Sequence, residues 1–336
     1  MSELGHSDQP LASRHDTALV DLDGVVYVGP DPVPGAIEGL AAARDKGMRV
    51  AFVTNNASRT PDAVAAHLRD LGLPATAEDV VTSAQAAARM VAERVAAGSA
   101  VLVVGGEGLE VALAEHGLRA VRSADDEPAA VVQGFAKDVG WVQLAEGALT
   151  VARGVPWIAS NLDRTLPTAR GLAPGNGALV DAITAATGAR PEVAGKPELP
   201  LHQEAVRRTG SRSPLVVGDR LDTDIEGANR AGVPALLVLT GVTSPAELLV
   251  APPQLRPTYV CEDLGTGLVA PHPAVVAQEG GWSCRGWGAA CRDGHLRLTG
   301  SGERIDALRA LCVAAWEEPA GCAGAAAAEV LGRLGW

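Results

Sequence analysis

The sequence predicts an α/β fold: parallel sheets covered on both faces by helices, with a second α/β unit inserted and a small α+β tail appended. Three observations predict it. Over the first 265 residues, short runs rich in Val, Leu and Ile alternate with helical stretches, the pattern of parallel strands joined by crossover helices. The length, 336 residues, exceeds one ordinary domain and allows two or three. From Pro271 onward the alternation stops and the texture changes, with four of the six tryptophans (Trp282, Trp287, Trp316 and Trp336) in the tail.

The predicted strands are 17–21, 49–54, 100–105, 129–134, 156–161, 214–218, 235–240 and, after the Pro-rich segment 251–257, 258–262. Helix signals fall between them. Thr60 precedes Pro61 as an N-cap before a first-turn proline, and Thr82-x-x-Gln85 has the spacing of a capping box. Gly188 stands where a helix beginning near Gly177 should stop. In the tail, Asp293-Gly294 suits the positive φ angles of a two-residue type I′ hairpin, and helices are expected near 304–317 and 323–334. The expected domains are 1–82 with 191–267 as a core, 83–190 as the insertion, and 268–336 as the extension.

Composition excludes several functions. Lys and Arg number 28 against 40 Asp and Glu, a net charge of −12, which disfavours a nucleic-acid binder or a basic membrane-surface protein. No apolar run reaches the ~18–20 residues of a membrane span. Residues 1–16 lack the apolar centre of a secretion signal, so a cytoplasmic protein is expected. The five cysteines all lie in the last quarter, odd in number and without a C-x-x-C pair. Neither a disulfide framework nor a zinc site is indicated, and free thiols are expected.

Four motifs carry chemistry. Asp21-Leu22-Asp23-Gly24-Val25 follows an apolar run. Ligands in open parallel sheets bind beyond the carboxyl ends of strands, and two carboxylates crowded there raise each other's pKa unless a divalent cation such as Mg²⁺ relieves the repulsion. An acidic turn holding nothing has the same composition. Val53-Thr54-Asn55-Asn56 closes the next run with a hydroxyl, amides and backbone N–H groups that could cradle an anion, though Asn and Thr also favour plain turns. Gly195-Lys196-Pro197 sets one of only three lysines on a stiff turn, where its compact charge suits a phosphoryl oxygen. Gly218-Asp219-Arg220-Leu221-Asp222-Thr223-Asp224 supplies a second acidic strand end. Asp224 could cap the next helix or hold a metal-bound water, and Asp222 is read as surface.

In this order, at strand ends, the four motifs resemble those of haloacid dehalogenase-like (HAD) phosphatases. Asp-Leu-Asp-Gly-Val, Val-Thr-Asn-Asn and Gly-Asp-Arg-Leu-x-Thr-Asp point to class IIA, the branch of 4-nitrophenylphosphatase and phosphoglycolate phosphatase types. The turn Pro174-Gly175-Asn176-Gly177 is also similar to turns of that branch. The resemblance spans about residues 15–265 and is nearest to the bacterial D-glycerol 3-phosphate phosphatase type, which also carries a C-terminal extension.

It implies a HAD-like doubly wound core, an inserted C2-type cap at 83–190, and a Mg²⁺-dependent phosphomonoesterase working through an aspartyl-phosphate. Asp21 would be the nucleophile and Asp23 the acid and base. Thr54, Asn55, Asn56 and Lys196 would bind phosphate or substrate. Asp21, Asp219 and the backbone carbonyl of Asp23 would ligate the metal, with Asp224 behind them. The partner is a small phosphorylated metabolite, glycerol 3-phosphate first and phosphoglycolate second, with neither nucleic acid nor membrane; the oligomeric state stays open.

Other readings remain at this stage. Hydrolysis could be replaced by phosphotransfer to an alcohol. Arg164 or Arg170, in the loop 161–170, could reach an anionic substrate or be ordinary loop arginines, and Gly105-Gly106-Glu107-Gly108 is read as a turn. The extension could be a binding or assembly module. Arg285-Gly286-Trp287-Gly288-Ala289-Ala290 fits the loose Arg-x-x-Gly-x-Ala pattern of acyl-CoA loops in GNAT-type acetyltransferases, but the hairpin after it leaves no room for a helix to hold a pyrophosphate. A structural add-on of hairpin and helices is the preferred reading.

Overall fold

The computed structural model describes residues 4–168, 170–318 and 324–336. The chain forms two compact units, one made of the residues up to 50 with 211–336 and the other of residues 51–210.

In the first unit, Thr17–Val20 pairs in parallel with Pro214–Gly218, which pairs with Ala235–Val238, which pairs with Tyr259–Cys261. Every residue of Thr17–Val20 and of Ala235–Val238 is buried, as a continuous apolar run requires in a sheet covered on both faces. Pro214–Gly218 has the predicted bounds, and the other three strands are one or two residues shorter than their apolar runs suggest, each losing the polar residue at its carboxyl end. A two-residue hairpin, Tyr27–Val28 with Asp31–Pro32, follows the first strand; segments so short carry no periodicity and were not predicted.

The extension is a four-stranded antiparallel sheet, Val276–Gln278, Gly281–Cys284, Trp287–Arg292 and His295–Gly300, with helices Arg304–Trp316 and Gly324–Arg333. Asp293 and Gly294 have φ of 51° and 74° and set Arg292 opposite His295, as a type I′ turn demands. Every residue from Asp306 to Trp316 is buried, and a helix covered all round belongs to a core. It packs on the extension's own sheet and also on helix Pro245–Leu249 and strand Tyr259–Cys261. Trp316 Nε1 donates to the Leu248 carbonyl at 3.1 Å, and Arg309 Nη2 to the Val260 carbonyl at 2.9 Å. Arg304 Nε donates to Glu262 at 2.9 Å. The extension therefore completes the hydrophobic core of its unit rather than hanging from it.

Two buried charges lie in that joint. Asp306 accepts from Arg309 Nη1 at 2.6 Å, and both side chains are at most 8% exposed. His272 stacks at an angle on Tyr259, and its Nε2 meets the Gly267 carbonyl at 2.8 Å. Burial pushes its pKa down to about 4, although that hydrogen bond acts the other way. Cys261, Cys284 and Cys312 are free and buried. Cys291, however, is disulfide-bonded, so the expectation of free thiols fails there; pairing depends on spatial approach, which spacing along the chain does not reveal. Cys322 lies outside the described residues.

The second unit pairs Phe52–Thr54 with Val80–Thr82 and adds a five-stranded parallel sheet. Its order is Glu192–Val193, Trp157–Ala159, Ala130–Gln133, Ala100–Val104 and Arg119–Val121. Leu102, Val104, Val131, Trp157 and Ile183 form its core. The expected caps are in place. Thr60 accepts from Ala63 N ahead of Pro61, Thr82 and Gln85 close a capping box, and Gly188 ends helix Asn176–Thr187 at φ 71°. Gly106 is the N-cap of helix Glu107–Glu115, so the glycines there make a turn.

Within this unit Glu204, fully buried on helix Leu199–Thr209, accepts from Arg89 at 2.6 Å, Arg207 at 2.5 Å and Arg208 at 2.6 Å. Burial alone would raise its pKa, but hydrogen bonds from Arg207, Arg208 and Arg89 prevail and hold it at about 2. Among the described residues, no helix is long and apolar enough to cross a membrane.

Candidate active site

The first group of site residues lies in the first unit. Val20 is in register with Val217, and Asp21 N donates to the Val217 carbonyl at 2.8 Å. Asp21 and Asp219 therefore leave adjacent parallel strands at the same edge. Asp219 is fully buried and Asp21 half-buried. Val242 N donates to Asp219 Oδ2 at 2.6 Å, and Thr243 N to the Asp219 carbonyl at 3.1 Å, so the 241–243 loop fixes both ends of this residue. A Cβ on Gly241 would lie 1.9 Å from Asp219 Oδ2; the cradle admits glycine alone.

The turn Leu221–Ile225 is π-helical and brings Asp224 back under the strand end. Asp224 is 1% exposed and accepts from Arg220 N at 3.2 Å. Asp222 points to solvent and pairs with Arg220 at 2.8 Å, in line with its reading as surface. Asp23 is exposed, within the turn closed by Gly24 N donating to the Tyr27 carbonyl at 2.8 Å.

Asp21, Asp219 and Asp224 each bring a carboxylate oxygen within 4.8 Å of the others. Two of the three are buried, and like charges so confined are costly without a counter-charge. An all-oxygen donor set suits a hard divalent cation and fits Mg²⁺. Asp224, expected behind the ligands, stands in the cluster itself, whereas the Asp23 side chain is not in it.

The second group lies in the second unit. Thr54 is 3% exposed, and its Oγ1 accepts from Asn56 N at 3.1 Å. Asn56 Oδ1 accepts from Ser58 N at 2.8 Å and Ser58 Oγ at 2.7 Å, so this side chain shapes the turn. Lys196 is 4% exposed, with Nζ donating to the Val53 carbonyl at 3.2 Å. The Asn55 amide meets the Lys196 backbone twice: Oδ1 accepts from Lys196 N at 2.8 Å and Nδ2 donates to its carbonyl at 3.1 Å. The structure thus brings Thr54, Asn55, Asn56 and Lys196 together around one strand end, with the Asn55 side chain committed to Lys196.

In the loop 161–170 both arginines are exposed. Arg164 is exposed and pairs with Asp181 at 2.8 Å. Arg170 is exposed, and its backbone N donates to Thr168 Oγ1 at 3.2 Å in the hairpin of Thr165–Thr168 and Gly171–Pro174. Asn161 and Asp163 are the residues that meet the site: Asn161 Nδ2 donates to the Asn55 carbonyl at 2.7 Å, and Asp163 Oδ2 lies 3.4 Å from Asn55 Nδ2. The available signal was an Asn-x-Asp directly after a buried strand.

Comparison with known proteins is decisive. A D-glycerol 3-phosphate phosphatase of Mycobacterium tuberculosis is 49% identical over 311 residues, spanning 91% of this chain and 87% of the relative. The model of the haloacid dehalogenase-like hydrolases matches residues 18–119, and a HAD-hydrolase-like model matches 193–266. The chain belongs to the haloacid dehalogenase-like hydrolases. This HAD-family chain is similar to a solved glycerol phosphate phosphatase from M. tuberculosis in complex with magnesium, at a TM-score of 0.86 and 47% identity over 93% of each chain. A p-nitrophenyl phosphatase from Archaeoglobus fulgidus has a TM-score of 0.69 at 30% identity, covering 75% of this chain and 97% of that one.

A GCN5-related N-acetyltransferase-like model matches residues 284–336 of this HAD-family chain. There, Arg285 and Gly286 turn between antiparallel strands Gly281–Cys284 and Trp287–Arg292. The element directly after them is the strand Trp287–Arg292, not a helix N-terminus.

Proposed function

We propose that this chain is a Mg²⁺-dependent phosphomonoesterase of small metabolites, with glycerol 3-phosphate as its first substrate and an aspartyl-phosphate at Asp21 as its intermediate. The observation that carries this reading is the convergence of Asp21, Asp219 and Asp224 at the carboxyl ends of neighbouring parallel strands. These three carboxylates, with the backbone carbonyl of Asp23, would hold Mg²⁺. When bound, the ion neutralises charge on the carboxylates and on the phosphoryl oxygens they approach.

Asp21 is half-buried at a strand end and held through its backbone, which suits a nucleophile that must meet phosphorus in line. The P–O bond to the leaving alkoxide breaks as the Asp21 oxygen bonds phosphorus. Asp23, two residues on and exposed, gives its proton to that alkoxide and then takes one from the water that hydrolyses the acyl phosphate. Thr54 Oγ1, the backbone N–H of Asn55 and the Lys196 ammonium hold the equatorial oxygens as their charge is redistributed. Asn56 supports the turn that presents them. Residues 83–190 act as a cap that excludes water.

Glycerol 3-phosphate is supported by the relative that is 49% identical over nearly the whole chain, extension included. A 5′-nucleotidase of Bacillus subtilis at 39% identity and an acid sugar phosphatase of Staphylococcus aureus at 36% keep other small monoesters in view. A cytoplasmic location accords with such substrates.

The test is phosphate release from both glycerol 3-phosphate enantiomers, phosphoglycolate, nucleoside monophosphates and 4-nitrophenyl phosphate, with and without an acceptor alcohol. Preference for one glycerol 3-phosphate enantiomer, with one free phosphate per ester cleaved, is expected. Phosphoryl transfer to the alcohol without free phosphate would overturn hydrolysis.

A further inference from the structure

Two asparagines outside the four motifs are tied to the phosphate-holding group by a continuous chain of hydrogen bonds. Asn161, 5% exposed, follows strand Trp157–Ala159, and Asn176, 1% exposed, opens helix Asn176–Thr187. Asn176 Nδ2 donates to the Asn161 carbonyl at 2.7 Å, and Gly177 N donates to the Asp163 carbonyl at 2.9 Å. Asn161 then uses its own amide at both ends: Oδ1 accepts from Asp163 N at 3.1 Å, and Nδ2 donates to the Asn55 carbonyl at 2.7 Å. Ser83 Oγ donates to the same carbonyl at 2.6 Å. Asn55 passes the constraint on through its two hydrogen bonds with the Lys196 backbone.

The packing is as tight as the hydrogen bonding. A Cβ on Gly195 would lie 2.4 Å from the Ser160 carbonyl and 2.6 Å from Asn55 Oδ1, and one on Gly177 would lie 2.3 Å from the Leu162 carbonyl. The backbone beside Lys196 is therefore wedged between the Asn161 corner and the Asn55 amide, with no space to drift.

We infer that Asn161 and Asn176 are positioning residues for phosphoryl binding, acting through Asn55 to hold the Lys196 turn in place. Neither is assigned a contact with phosphate. Their amides fix where the ammonium stands, and a displacement of 1 Å at a reacting group can cost about 10²-fold in rate. Asn176 is informative because its Oδ1 is buried without a hydrogen-bond partner among the described residues. Buried polar atoms are rarely left so, and the Nδ2 bond to Asn161 offsets that cost.

This inference rests on the role given to Lys196 above, and a double-mutant cycle separates the two. kcat/KM for 4-nitrophenyl phosphate and the Kd for inorganic phosphate are measured for wild type, Asn161→Ala, Lys196→Ala and the double variant, with unfolding midpoints alongside. Asn161→Ala is expected to lower kcat/KM about 10- to 100-fold and to weaken phosphate binding in parallel. In the Lys196→Ala background the same substitution should cost no more than about twofold, because coupled residues lose their effects together.

An undiminished effect in that background, or none in the wild type, overturns the brace while leaving the role of Lys196 standing. Wild-type kinetics in Lys196→Ala alone overturn that role and the brace with it. If Asn161→Ala does not fold, Asn176→Ala enters the same cycle and is read in the same way.

Discussion

The Asp219 cradle gives the sharpest perturbation. In Gly241→Ala the added methyl would stand 1.9 Å from Asp219 Oδ2, 2.5 Å from Cγ and 2.8 Å from Cβ, where real Cβ atoms keep beyond 3.0 Å. The carboxylate must move by at least about 1 Å, and its hydrogen bond from Val242 N at 2.6 Å resists rotation in place. Loss of a supporting contact around a metal ligand typically weakens metal affinity about 10- to 100-fold, equivalent to about 1.4–2.8 kcal/mol. The assay is Mg²⁺ titration, by calorimetry and by the half-saturation of phosphate release. Gly332→Ala, with nothing within 4 Å and no positive φ, is the control. Gly241→Ala with wild-type Mg²⁺ affinity would refute the assignment of Asp219 as a ligand held by that loop.

Two further predictions concern stability. Asp306→Asn leaves the Arg309 guanidinium buried without its counter-charge and should cost about 3–5 kcal/mol, whereas Asp306→Leu with Arg309→Met should cost far less; urea unfolding monitored by the tail tryptophans reads the difference. Acid lability should have two separable parts. The folded-state pKa of Glu204 is depressed, so its stabilisation is complete above about 4.5 and is lost as pH falls toward about 2. The pKa of His272 is lowered from 6.5 to about 4, so that contribution fades across this higher window as pH falls. Glu204→Gln should flatten the lower window alone, and His272→Asn the upper one, in hydrogen-exchange measurements on each unit.

How legible the protein was in its sequence depended on how many residues stated the same thing. Runs such as 100–105 and 235–240 were unmistakable as buried strands because four or more apolar residues agree. Val80–Thr82, Arg119–Val121 and Glu192–Val193 were missed because two or three residues carry no period and edge strands need none. Asp21, Thr54, Lys196 and Asp219 stood out as candidates because each polar group interrupts an apolar run at its carboxyl end or sits beside Gly and Pro. Asn161 and Asn176 lie in a loop and a turn that the sequence marked, but their bracing contacts were not legible, since an amide that bonds backbone carbonyls looks, in sequence, like any turn residue. The buried pair of Asp306 and Arg309 was not singled out, because charged residues are ordinarily exposed and nothing along the chain marks the strand that covers them.

The central claim is that Asp21 takes the phosphoryl group in a metal-dependent hydrolysis. It is tested by phosphate release from glycerol 3-phosphate for wild type and Asp21→Asn, each with Mg²⁺ and with EDTA, together with rapid acid quench to trap phosphoryl on the protein. Release by the wild type only with Mg²⁺, an acid-stable phosphoryl group on Asp21, and loss of both in Asp21→Asn are expected. Release that persists in EDTA or in Asp21→Asn would contradict it.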